Sequence, residues 1–186
     1  MKYGISVLFS HDLQTMELSL SERDPFNAVF LNPDGAAVYH TDTPFAFFST
    51  RKTTINKISR EGPYQMGLVE VHDWNESIVS VWGRPFIPYR SHTFSNSEVF
   101  TASDNRSYKW KDDWGGQLIL HPDDGSDTII AMYDSGSIGI FSKSRPPTLA
   151  ILPNGVHIMD EIVATFIYMA EKKRRRARRR RRRAMN

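Results

Sequence analysis

Cysteine is absent from all 186 residues. No disulfide can staple the fold, and no thiol can serve as nucleophile or zinc ligand, which fits a reducing compartment. Long apolar runs are equally scarce. The longest, residues 162–170, spans nine positions. A membrane-crossing helix needs about 20, so no transmembrane segment is expected. The N-terminal run at 3–9 is interrupted by Gly4 and Ser6 and ended by His11-Asp12. It is too short and too alternating for a signal peptide. Without an entry signal, the glycosylation sequons at Asn75 and Asn105 read as chance. An intracellular location, cytoplasmic, nuclear or both, is expected.

Signatures of catalysis are missing too. Ser135-Gly136-Ser137 lacks the glycine-x-serine-x-glycine of a nucleophile elbow. The histidines His11, His40, His72, His92, His121 and His157 show no metal-ligand spacing, and His157 reads as a packed or capping residue. The acidic clusters Asp112-Asp113 and Asp123-Asp124-Gly125-Ser126-Asp127 lack the bidentate glutamate of a calcium loop, and read as turns capped by aspartate. Paired carboxylates for glycoside hydrolysis need not be close in sequence, but nothing selects a pair. The expectation is a protein that is not an enzyme, with no cofactor and no metal.

What is present is a globular composition, 40% hydrophobic and 12% aromatic, enough for one domain over residues 1–171. Apolar and polar residues alternate at period two, which buries one face of a strand and wets the other. Strands are expected at 3–9, 15–20, 28–31, 36–40, 45–48, 53–55, 66–72 and 78–82. Others are expected at 99–102, 108–110, 117–120, 128–133, 137–141 and 148–152. Asn32-Pro33-Asp34-Gly35 supplies the turn of a hairpin over 28–40. About a dozen short strands without βαβ alternation point to a mainly β barrel or sandwich.

One segment breaks this pattern. Residues 156–170 are long enough for about four helical turns. Asp160 and Glu161 lie near the start and Lys172-Lys173 after the end, both favourable for the helix dipole. Ile162, Val163, Thr165, Phe166, Ile167 and Tyr168 also carry high β propensity, so a strand is the rival. The helix, about 156–171, is favoured. Its apolar residues surround the axis, which marks a buried helix, and the inside of a barrel is one home for it. Deleting 156–170 is expected to unfold the domain.

The stretch Phe100-Thr101-Ala102-Ser103-Asp104-Asn105-Arg106-Ser107-Tyr108-Lys109-Trp110-Lys111 resembles the signature of a fungal domain family of unknown function. The hairpin at Asp34-Gly35 to Tyr39, Lys52-Thr53-Thr54-Ile55, Gly67-Leu68-Val69-Glu70 and the terminal 159–168 segment with its basic tail match as well. The resemblance covers about residues 15–180. It implies the tubby-like fold, a closed antiparallel β-barrel threaded by a hydrophobic C-terminal helix. Asn105 stands where the family has glycine, and asparagine tolerates the left-handed conformation better than most residues. The family carries no established activity. Some tubby-like relatives bind phosphoinositides and others are linked to lipid scrambling, but no binding residue of theirs aligns here.

Charge is distributed unevenly. Eleven basic residues, Lys172, Lys173, Arg174, Arg175, Arg176, Arg178, Arg179, Arg180, Arg181, Arg182 and Arg183, crowd the last fifteen positions. Residues 1–171 keep 13 basic side chains against 21 acidic ones, a net of −8. The tail, 172–186, is expected to be disordered or to extend the helix. Such a charge run stays solvated or meets a polyanion: nucleic acid, anionic lipid headgroups or an import receptor. It contains no aromatic residue for base stacking. A second cationic candidate is Lys109 and Lys111, on one strand face, with Arg51 and Lys52 or Lys57 as a headgroup site. The alternative there is a core Trp110 flanked by solvated lysines. The expected function is a binding module for an anionic surface, phosphoinositide membrane or nucleic acid. The alternative is a protein-interaction or structural domain whose tail is an import signal.

Overall fold

In Tyr108-Lys109-Trp110-Lys111 the aromatic rings are buried while Lys109 is half-buried and Lys111 exposed, as alternation requires of a strand with one wet face. The same rule builds the rest of the sheet. The structure, a computed structural model, describes residues 14–44, 51–72, 75–92, 95–112, 117–137 and 144–185. The expected strands at 3–9 and 45–48, and residues 138–141 of another, lie outside them.

Thirteen strands form one antiparallel sheet. They are β1 Met16–Leu20, β2 Val29–Leu31, β3 Ala37–Asp42, β4 Lys52–Ser59, β5 Gly62–Glu70, β6 Ile78–Val81, β7 Arg84–Phe86, β8 Tyr89–Arg90, β9 Glu98–Thr101, β10 Ser107–Asp112, β11 Leu118–Pro122, β12 Ala131–Asp134 and β13 Thr148–Ile151. β1 to β7 are a meander, each strand pairing with the next, and β8 to β13 are a second. β1 pairs with β13, Met16 opposite Ile151, and joins the two. The short strands β7 and β8 were not expected from the sequence, because Pro85 and Pro88 mask them.

β7 and β8 are the two edges of the sheet, yet only Ile87 and Pro88 separate Phe86 from Tyr89. Three Cα steps of about 3.8 Å limit the separation of the edges there to about 11 Å. The sheet therefore curls until its edges face each other. The expected closed barrel is corrected on this point: among the described residues no hydrogen-bonded ladder joins β7 to β8, and the sheet is open. Proline explains the gap, since Pro85 within β7 and Pro88 after it have no N–H to donate. Side chains pack across the opening instead. Phe86 of β7 stacks on Phe100 of β9 with ring centroids 5.9 Å apart, and Phe100 stacks in turn on Tyr108 of β10.

A 3-10 segment, Pro153–Ile158, leads into the helix α1, Met159–Ala184. The helix starts three residues later than expected and continues through the arginine tail. Every residue from Glu161 to Met169 is buried. Nine successive residues cover the full circumference of a helix, so α1 is surrounded by protein here. The sheet supplies that wrapping. Phe166 packs on Phe30 of β2 and Tyr133 of β12, at 6.3 and 4.5 Å between centroids. The Trp110 indole N–H donates to Thr165 Oγ1 at 2.9 Å, and the Tyr168 hydroxyl donates to Glu98 of β9 at 3.0 Å. The β propensity of this segment is overridden because the space it fills has no strand edge left to pair with.

Candidate functional site

The two ends of α1 carry the concentrated polar chemistry. At the N-terminal end a recess of about 490 Å³ opens beside the seam between β7 and β9. Its floor is Asp160, which accepts four hydrogen bonds. The Tyr39 hydroxyl donates to Oδ1 at 2.5 Å, and Lys57 Nζ donates to Oδ1 and Oδ2 at 2.9 and 3.1 Å. The Trp82 indole N–H donates to Oδ2 at 2.8 Å. A carboxylate in the first turn of a helix is favoured by the dipole. Burial, and then the adjacent Asp160 charge, push the Tyr39 phenol far above its ordinary value. It therefore stays a hydrogen-bond donor.

Two more carboxylates complete the rim. Glu161 accepts the Ser103 backbone N–H at 3.1 Å and faces the Arg84 guanidinium at 3.7 Å, so it bridges the two sides of the seam. Asp104 accepts from the Tyr108 hydroxyl at 2.7 Å and from the Arg106 N–H at 3.0 Å, and lies 3.0 Å from His157 Nε2. Burial alone would raise the Asp104 pKa. The hydrogen bonds from Tyr108, His157 and Arg106 outweigh it and hold the group below its usual 3.8. Burial and the Asp104 partner push Tyr108 up to about 12. Each carboxylate is thus matched by a basic side chain, and Asp160 accepts from three neighbours that it orients.

At the other end of α1 the eleven tail cations differ in exposure. Lys172, Lys173, Arg174, Arg175 and Arg176 are half-buried and engaged. Lys172 lies 3.3 Å from the buried Glu98, and Lys173 and Arg176 reach Asp112 at 2.9 and 3.2 Å. Arg174 and Arg175 both bind Glu171. Arg175 also donates to the Val71 carbonyl at 2.7 Å, and the Arg174 guanidinium sits 4.0 Å from the centre of the Phe26 ring. From Ala177 onward every described residue is exposed, including Arg178, Arg179, Arg180, Arg181, Arg182 and Arg183.

The other expected cations do not meet. Arg51 is half-buried just before β4, and Lys52 at the start of that strand pairs with Glu70 of β5 at 2.8 Å. Lys109 pairs with Asp123 at 2.5 Å, and Lys111 points to solvent. β4 and β10 are separated by six strands one way around the sheet and five the other. Lys57 turns instead to Asp160. The residues of the recess escaped sequence reasoning because they come from distant segments. One signal was available: Trp82-Gly83 closes the alternating run at 78–82, with tryptophan where a tight turn prefers asparagine.

Among the described residues no group of three or more histidines and carboxylates could hold a metal ion. None of the helices described there is long and apolar enough to cross a membrane.

Comparison with known proteins adds the family. No curated protein matches. The X-ray structure of a protein from Arabidopsis thaliana is similar at a TM-score of 0.49 and 12% identity, covering 84% of this chain and 90% of that one. A model described as a family of unknown function, DUF6593, matches residues 23–176, which takes in all the strands from β2 onward and α1 as far as its engaged basic turn. The chain belongs to this family of unknown function, DUF6593.

Proposed function

We propose that the protein is a non-enzymatic binding module, a tubby-like sheet-and-helix domain that docks on a polyanion through Arg178, Arg179, Arg180, Arg181, Arg182 and Arg183. The observation that carries this reading is the continuation of α1 to Ala184, with its last two turns exposed after the preceding five cations are engaged by the body. The body fixes the base of the helix, and the charged end projects from it.

The distribution of charge favours duplex nucleic acid over a membrane. Six successive arginines at 100° per residue point in all directions around the helix. A flat bilayer touches only about half of a helix circumference, as the one-sided basic faces of interfacial helices illustrate. A major groove about 12 Å wide admits a whole helix between two walls of phosphate. Arginine also matches phosphate with a bidentate fork. With no aromatic residue in the tail, binding is expected to be independent of base sequence.

The test compares the full chain with a variant carrying glutamine at all six arginine positions from 178 to 183. Binding to a mixed-sequence DNA duplex and to phosphoinositide liposomes is measured at matched ionic strength. Tighter binding of duplex, lost in the variant, is expected. Liposome binding that survives in the variant contradicts the reading and returns the body to consideration as a lipid module. Absence of both leaves the tail as an import signal on a protein-interaction domain.

A further inference from the structure

The recess at the other end of α1 has a feature that folding alone does not require. β6 and β7 are joined by a two-residue turn, Trp82-Gly83, with Val81 paired to Arg84. Both turn residues have positive φ, 53° for Trp82 and 74° for Gly83. A hairpin turn of this kind favours asparagine, aspartate or glycine at its first position. A bulky side chain there is a conformational outlier, and such strain is typically retained where it serves a site.

The strained residue is held in place. The Trp82 indole N–H is fixed to Asp160, and the Tyr64 ring lies 5.7 Å away at 35° to it. Trp82 is 54% exposed and Tyr64 41%. Trp82 lines the recess, and Tyr64 extends the aromatic surface beside it. Behind it stand two pairs of opposite charge, Lys57 with Asp160 and Arg84 with Glu161, and the His157–Asp104 hydrogen bond.

This combination selects a ligand class by elimination. An anion entering the recess meets Asp160 and Glu161. A cation meets Lys57 and Arg84, and Lys57 Nζ already lies 5.8 Å from the Trp82 ring centre. A neutral polyol meets no repulsion. Its C–H face suits the electron-rich face of an aromatic ring, and its hydroxyls, both donors and acceptors, suit paired charges that offer both. The recess, at about 490 Å³, is within the roughly 300–1,000 Å³ of small-molecule sites. We propose that it is a binding site for a neutral carbohydrate, stacked on Trp82 and Tyr64 and hydrogen-bonded to the Arg84–Glu161 and His157–Asp104 pairs. Asp160 is about 27 Å from Arg178 along the helix axis, so this site stands apart from the arginine end and does not depend on it.

The test follows the indole N–H resonances of the full chain by NMR during titration with cellotetraose, laminaritetraose, chitotetraose, adenosine and myo-inositol hexakisphosphate. At least one of the tetrasaccharides is expected to shift the Trp82 signal with millimolar or tighter affinity. Trp82→Asn installs the favoured Asn-Gly turn while removing the indole. It is expected to keep the fold and weaken that binding, read by isothermal titration calorimetry, by about tenfold or more, as loss of a central aromatic anchor does. Arg84→Gln, at an exposed edge position, is expected to weaken it several-fold, and glutamine at positions 178–183 to leave it unchanged. The proposal is overturned if no tetrasaccharide shifts the Trp82 indole, or if binding is unaltered in both Trp82→Asn and Arg84→Gln. It is equally overturned if adenosine or inositol hexakisphosphate binds the recess more tightly than every sugar.

Discussion

Asn105 occupies the left-handed region at φ 61°, in the turn between β9 and β10, where its N–H donates to the Ala102 carbonyl at 3.1 Å. Asparagine here holds the left-handed conformation that the resemblance implied for a glycine. Asn105→Gly is expected to leave stability nearly unchanged, whereas Asn105→Ala is expected to cost about 1–2 kcal/mol by urea unfolding. The neighbouring Asp104 gives a dependence on pH. Its folded pKa lies below the usual 3.8. Its contribution to stability is therefore complete above about pH 4 and lost as pH falls through the folded pKa. The stability difference between the protein and Asp104→Asn should shrink as pH falls below about 4. A difference that grows below about pH 4 contradicts the assignment of Asp104 as the charged partner of Tyr108 and His157.

The helix α1 combines two segments with different physics. Its first half, buried on all sides, contributes the apolar centre of the molecule. Phe166, at 0% exposure and packed on Phe30 and Tyr133, is expected to cost about 3–5 kcal/mol when replaced by alanine. Deleting 156–170 should abolish cooperative melting, because that single loss approaches the whole stability of an ordinary domain, about 5–15 kcal/mol. The burial of this segment was legible in the sequence from apolar residues all around a helical period. Its start was not: the chain winds into a 3-10 segment from Pro153 onward, and the α-helix begins only at Met159. Period-two alternation located most of the longer strands. It missed β7 and β8, two or three residues each, since a pattern that short has no period to detect.

The molecule as a whole is a curled sheet with one proline-broken seam and a helix whose ends carry different side-chain chemistry. The seam was hidden from the sequence because closure depends on which edges meet, and that is decided by β1 pairing with β13 across more than a hundred residues. The same long-range folding gathers Tyr39, Lys57, Trp82 and Asp160 into one cluster from four separate segments. It also sends Lys52 and Lys109 to different sides, against the grouping their charge suggested. The tail was plain as a charge run, but its division was not: Glu98, Asp112 and Glu171 claim its first turns, and those partners are known only from the fold. That division gives the central claim a number. The most direct measurement is the salt dependence of duplex DNA binding by the full chain. Six engaged arginines predict log K falling against log salt with a slope of about −5, whereas eleven engaged cations would give about −10. A slope near −5 supports a helix end that acts alone beyond Arg176. A slope near −10, or one near zero, contradicts it: the first means the body releases its grip on residues 172–176, the second that the arginines meet no polyphosphate at all.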